Sequence, residues 1–343
     1  MNRIATPERA VGVLVLVVAL LAPVLFSTYW VSALLTQILL LGIIAASLTF
    51  LSAYGGMVSL AQVAIYGIAG FVAGNATTHD SKGLNLGWSP WVGTILGLAI
   101  GTGIALVFGA LACRSVGIYF LMITLTFGVI ANLFFGQVTQ LSGFGGISGI
   151  TTPGLLGSAD AHPNTLYYVA LALSVAVYAL LRYLVRTPFG LTLQGLRDDP
   201  VRMSSLGYHV GLHRTLAFGF AGFIATIGGI LFVWWNGHID PASIDIGRMV
   251  SVLAIAVIGG LYRLEGAWIG SFIYVVLNNY LQTISWIGPR FDTVIGIIFL
   301  VIVLVSPAGV MGIWERLIGL LRSRDPGGGS TSPLSTTPAS ADL

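Results

Sequence analysis

The chain has 343 residues, 56% of them hydrophobic and only 8% charged, with a net charge of +3. A charged fraction of about 25% is usual for soluble domains, so this composition excludes one, and a lone cysteine, Cys113, excludes an internal disulfide framework. Apolar runs near the ~20 residues needed to cross a bilayer recur along the chain, which predicts an all-α polytopic membrane protein.

In chain order the predicted spans are 10–28, 32–52, 57–75, 90–111, 116–137, 166–185, 214–235, 248–261, 266–286 and 291–310. Residues 1–9 precede the first of them as a basic N-terminal segment, and no small-residue cleavage site follows that span, so it reads as uncleaved. With the N-terminus in the cytoplasm, the alternating loops place Arg3, Arg9, Arg114, Arg182, Arg186, Arg197, Arg202, Arg214, Arg263, Arg316, Arg322 and Arg324 on one side. Only Lys82, Arg248 and Arg290 fall on the other. Positive charge collects on the cytoplasmic side, so both termini are predicted there and ten spans are favoured. The last residues, 314–343, are rich in Gly, Ser, Thr and Pro towards the end and cannot bury apolar area, which predicts a largely disordered cytoplasmic tail.

Ten spans in a membrane domain of 10–313 divide into two five-helix halves, about 10–138 and 166–310. An odd number per half starts the second on the opposite face of the membrane, which is the arithmetic of an inverted repeat. The third span is interrupted by small and polar residues, and the eighth is the shortest and ends in Gly259 and Gly260. Paired interrupted segments point to a translocation path. Close helix packing through small residues explains the same glycines.

Charge is nearly absent from the spans: arginines lie only at their ends, and Asp292 is the second residue of the last. A charge at the bilayer centre costs at least ~2.5–3.5 kcal/mol, so buried ionisable groups mark proton relays, and none is evident. Sodium coupling through carbonyls and hydroxyls stays open. No GxxxxGK[ST], HExxH or GxSxG pattern occurs, nor any paired-cysteine metal motif, so the sequence shows neither an ATPase site nor a metal site. His79, His162, His209, His213 and His238 fall in predicted loops and read as solvated residues. The uncharged polar groups Ser59, Gln62, Tyr66, Thr124, Thr126 and Asn132 lie inside spans. An unpaired polar atom is costly there, so each either lines a path or bonds between helices.

The exception to this apolar pattern is the long loop 186–213. From Arg182 to Arg214 it concentrates five arginines, two aspartates and two histidines. Asp199 before Pro200 is a helix start and Gly207 a helix stop, which predicts a short helix over 200–206, preceded by another over 189–197. Leu191, Leu193, Leu196, Val201, Met203 and Leu206 supply an apolar side, and Arg197, Asp198, Asp199 and Arg202 a charged one. Such a pair suits the groove of a soluble partner better than a membrane surface, where anionic headgroups would repel the two aspartates.

The run TPFGLTLQGLRDDPVRMSSLGYHVGLHRTLAF resembles the cytoplasmic segment of LivM-type permeases of ATP-binding-cassette importers for branched-chain amino acids, through Pro188, Phe189, Gly190, Arg197 and Gly207. YGGMVSLAQVAIYGIAGF resembles the same family through Gly56, Ser59, Leu60, Gln62 and Gly67. IYFLMITLTFGVIANLFF with GFGGISGI, and VIGGLYRLEGAWIGSF, extend the likeness over about residues 30–310. The chain departs from the pattern at Gly128, Val129, Ile130 and Asn132, where the family often carries a glutamate and a basic residue, and at Asp198–Asp199–Pro200 and Ser204–Ser205.

The resemblance implies a permease subunit, not an enzyme, in the bacterial cytoplasmic membrane. It would bind no cofactor itself. Its implied partners are a second, LivH-like permease, two cytoplasmic ATPases that hydrolyse the ATP, an extracytoplasmic solute-binding protein and membrane lipid, with no nucleic acid. The implied solute is a branched-chain or other amphipathic amino acid. Urea, short amides and a ribose-type sugar are the alternatives within the superfamily, and a channel or secondary carrier lies outside it. ATPase coupling would fall to Phe189, Gly190, Arg197, Asp198, Asp199, Arg202 and Gly207.

Overall fold

The computed structural model describes residues 16–23, 27, 30–78, 83–154, 163–283, 291–305 and 309–312. Helix α1 covers 16–23. A π-helical turn, Trp30–Leu35, leads into α2, Thr36–Gly55, and then come α3, Ala61–Thr77; α4, Pro90–Ala112; and α5, Ile118–Gln137. The second half of the chain runs α6, Pro163–Arg186; α7, Pro188–Asp198; α8, Pro200–Ser205; α9, Val210–Asn236; α10, Ile246–Gly259; α11, Leu264–Thr283; and α12, Phe291–Val305. No strand occurs among the described residues; Ile147 and Ile239 form one isolated bridge. The protein is all-α.

Among the described residues five helices are long and apolar enough to cross a membrane, and α10 with α11 makes a sixth if that pair, bent by 117°, is one span. At 1.5 Å per residue, 23-residue α4 is about 34 Å long and exceeds the ~30 Å hydrocarbon core, whereas 14-residue α10 reaches only about 21 Å. The predicted span 57–75 is helical only from Ala61 onwards, and the predicted span 214–235 begins earlier, at Val210, so His213 belongs to helix α9 and not to a loop. Of the predicted first span only 16–23 and 27 are described, and the tail lies outside the described residues, as do Lys82, Arg290, His79 and His162.

Helix α2 forms the centre. It is apolar on every side and buried along most of its length, as expected of a helix wholly enclosed by others. Its counterpart α9 runs antiparallel to it: Phe50 meets Phe220 edge-on at 5.6 Å, while Ile44 lies against Gly228. The neighbours repeat in pairs. Helix α4 packs on α3 and α9, and α11 packs on α10 and α2. Both crossings are antiparallel, with Gly109 against Phe218 and Gly97 against Ile230 in one, and Gly42 against Trp268 and Trp30 against Tyr280 in the other.

Small residues make these approaches close. The buried face of α4 is Gly93, Gly97, Gly101, Ala105, Gly109 and Ala112, nearly one residue every four. Such a stripe brings backbones together where no hydrophobic effect drives helix association within lipid. The opposite face exposes Trp91, Ile95, Val107 and Leu111, a surface suited to lipid and not to water.

The 186–213 loop folds as two short helices with explicit caps. Thr187 caps α7 by accepting from Gly190 N, with Pro188 at the first position. Asp199 Oδ1 accepts from both Val201 N and Arg202 N at 3.0 Å. Leu206 closes α8, and Gly207 turns the chain with φ +89°. Asp199→Ala should cost α8 about 1 kcal/mol. Helix α8 buries none of its residues, so the loss should stay local. Hydrogen exchange should quicken at 201–206 and stay unchanged in α2 and α9.

Candidate functional site

Three features stand out: a corner under α7, a buried polar group around the start of α3, and a polar cavity at the end of α9. The corner comes first. Gly56 ends α2 in the left-handed region, φ +65°, and residues 57–60 run unhelical before α3 begins. Helix α7 sits on this corner. Leu193, fully buried, lies against Gly55, and the Arg197 side chain covers Gly56 so closely that any side chain there would strike it. The Arg197 guanidinium donates to the Ala53 carbonyl at the end of α2 and pairs with Asp198 at 2.8 Å. Phe189 stacks on His213 at 6.0 Å and ties α7 to the start of α9. Gly190 abuts the end of α6, where a Cβ would meet the Leu184 and Val185 backbone.

The apolar side predicted for this loop divides in two. Leu193 and Leu196 are buried, but Leu191, Val201 and Leu206 are 61%, 75% and 66% exposed. The periodicity is right; the error is that α7 presents only its Leu193–Leu196 edge to α2, and α8 reaches no core at all. Tyr208 and Leu212 extend the exposed apolar group towards α9.

Past the corner lie Ser59 and Gln62, both fully buried. Ser59 Oγ and both amide atoms of Gln62 have no hydrogen-bond partner among the described residues, nor does Thr49 Oγ1 of α2. Thr124 Oγ1 of α5 accepts from Leu60 N at 3.2 Å and donates to Leu121 O, so α5 holds the unhelical segment. Tyr66, one turn beyond Gln62 on α3, packs on Phe232 with ring centroids 5.3 Å apart. Ser59, Gln62, Tyr66 and Thr124 therefore come together around the start of α3. Thr126 does not: it is exposed on the outer face of α5 and bonds back to Met122 O. Asn132 stands apart too, donating to Pro241 O at 2.7 Å.

Phe232 is also a wall of the third feature, a cavity of about 330 Å³ between the start of α2, the end of α9 and the start of α10. Its polar lining includes Gln37, His238, Asp240 and Arg248. Sequence inspection missed this site because its residues lie in three separate segments, and it took His238 for a solvated loop residue. His238 Nδ1 is held by Ser148 Oγ at 3.0 Å, and its Nε2 lies 3.8 Å from Asp240. At the opposite end a second polar group joins α6 to α11: Glu265 Oε1 accepts from Tyr178 Oη at 2.7 Å and Arg182 at 3.2 Å. No group of three or more potential metal-ligating His, Cys, Asp or Glu side chains is found among the described residues.

Residues 30–304 match the family described as branched-chain amino acid transport system / permease component. The chain is 30% identical over 255 residues to the high-affinity branched-chain amino acid transport system permease protein LivM of Escherichia coli strain K12, covering 67% of this chain and 58% of that protein. It is 28% identical over 253 residues to LivM of Salmonella typhimurium, with the same coverage of 67% and 58%. A probable LivM of Methanocaldococcus jannaschii is 25% identical over 289 residues, 76% of this chain and 81% of the relative. The chain thus spans a little over half the length of the two enteric relatives. No solved structure shows a significant match. The match over most of the chain, the apolar helices and the all-α fold agree: this multi-pass membrane protein belongs to the branched-chain amino acid transport permease family.

Proposed function

We propose that the chain is one permease of an ATP-driven importer in the bacterial cytoplasmic membrane, carrying branched-chain or other amphipathic amino acids. A second, LivH-like permease, two cytoplasmic ATPases and an extracytoplasmic binding protein complete the machine, and the ATPases perform the hydrolysis. The relatives' names support the solute class. The antiparallel run of α2 and α9 and the paired packing of α4 and α11 support two inverted halves, with α7 and α8 on the cytoplasmic side.

One observation carries the reading: α7 rests directly on the corner that leads into Ser59 and Gln62. The exposed Leu191, Val201 and Leu206 offer a soluble partner an apolar hold. Closing of the ATPase pair would pull on α7. Arg197 and Leu193 would pass that movement to the end of α2, and the unhelical residues 57–60 would absorb it as a hinge. Tyr66 packs on Phe232, which lines the far cavity, so this aromatic pair would stand between that cavity and the Gln62 group.

Reconstitution tests this reading. Liposomes holding the complete complex should concentrate leucine only with ATP inside, and liposomes holding this chain alone should not. Leucine flux through the chain alone would replace the reading with a channel or secondary carrier. Gln62→Leu provides a finer check. Removing an orphaned buried amide relieves a penalty of about 1–3 kcal/mol, so the variant should melt no lower than the parent. Its uptake should nonetheless fall several-fold, because a solute loses its polar contact. Uptake and abundance falling together would assign Gln62 to folding.

A further inference from the structure

We infer that the cavity at the far end of α9 is a first binding site for a free zwitterion, in which Arg248 takes the carboxylate and Asp240 the ammonium. This deepens the proposed function and rests on it. The two groups line one cavity of about 330 Å³, within the usual size of small-ligand sites. Arg248 lies in the first turn of α10, whose cap, Asp245, accepts from Arg248 N at 2.7 Å. Its guanidinium makes no ion pair or hydrogen bond among the described residues, which leaves its planar fork open to a carboxylate.

Asp240 is held for the complementary task. Its Oδ1 accepts from Ser243 N at 3.0 Å and Ser243 Oγ at 2.8 Å. Asp240 lines the cavity with His238, its Oδ2 lies 3.8 Å from His238 Nε2, and that oxygen remains able to accept from an ammonium. Phe232 and Trp235 add aromatic surface for an aliphatic side chain. Asn132 fixes the turn between Asp240 and Ser243 through the Pro241 carbonyl and is a positioning residue. An arginine, a carboxylate and an aromatic wall in one cavity match an amphipathic amino acid at all three of its groups. A sugar needs neither charge. Phe232 lines the cavity and packs against Tyr66, which lies one turn from Gln62 on α3, so one aromatic pair links this site to the Gln62 group.

The test is uptake of radiolabelled leucine by the complete reconstituted complex, with ATP hydrolysis stimulated by the binding protein measured alongside. Arg248→Gln and Asp240→Asn should each lower leucine moved per ATP hydrolysed about ten-fold, the effect of losing one charge-assisted bond. Stimulated hydrolysis and membrane abundance should stay at the parent level. Arg248→Lys keeps the charge without the fork and should fall between, and it serves as the readout if Arg248→Gln lowers abundance. Unchanged leucine per ATP in these variants overturns the site alone. Loss of stimulated hydrolysis in step with uptake also overturns it and makes the cavity a docking surface for the binding protein. A parent complex that moves no leucine overturns both the site and the function it rests on.

Discussion

Exchanging the charges of one neighbouring pair, Arg197→Glu with Asp198→Lys, is expected to lower leucine uptake at least about ten-fold while ATP hydrolysis and membrane abundance persist. The swap preserves an ion pair between the two positions but removes the guanidinium that donates to the Ala53 carbonyl. A hydrogen bond from a charged donor is worth about 1.5–3 kcal/mol, and Arg197 is about one-third exposed, so the lower part of that range applies. Asp198→Asn separates the two contacts. It breaks the ion pair and leaves the carbonyl bond, and exposed pairs contribute about 0–1 kcal/mol. Asp198→Asn should therefore transport nearly as well as the parent. Equal loss in both variants would show that the pair, and not the link to α2, carries the coupling.

The second large effect is structural. Gly229→Ala in the middle of α9 should destabilise the folded protein. In an open helix that substitution normally stabilises by about 0.5–1 kcal/mol. Here the new Cβ would fall on the Tyr66 carbonyl of α3, 2.9 Å from its carbon and nearer still to its oxygen. Backbone cannot step aside as a flexible side chain can. Overpacking costs of about 1–3 kcal/mol, occasionally more, apply at their upper end. Gly103→Ala is the matched control, because nothing lies within 4 Å of its Cβ position on the outer face of α4. Thermal melts in detergent should put Gly229→Ala several degrees below the parent and Gly103→Ala level with it. Two equal melts would remove the close α3–α9 contact from the account.

Much of this was legible in the chain. The capped helix after Asp199 was readable because N-caps and C′ glycines act through local geometry that the sequence states outright. The interruption ahead of Ala61 was visible in Gly55, Gly56 and Ser59 for the same reason. Which face of α7 would turn inward was not visible. Leu191 and Leu193 are equally apolar, and only the position of Gly55 and Gly56 decides that Leu193 is buried while Leu191 is exposed. Thr126 and Thr124 differ in the same way: two residues apart, one faces α3 and the other faces outward from α5.

By itself, the sequence determined the solvent of this protein, its helical class, its family and the one loop where charge concentrates. The family follows from the resemblance of its motifs, and the other properties from composition, from apolar run length and from local backbone chemistry. Tertiary structure alone decided which polar groups meet. Arg197 reaches Ala53 across 144 residues of chain, and Asn132 reaches Pro241 across 109. Gln37, Asp240 and Arg248 share a cavity only because α2 and α9 run antiparallel and bring the start of one beside the end of the other. In a membrane, apolar burial does not select among helix pairings, since lipid is as apolar as leucine. Small-residue stripes such as that of α4 make the selection through shape, and shape is settled only when the opposing helix is in place.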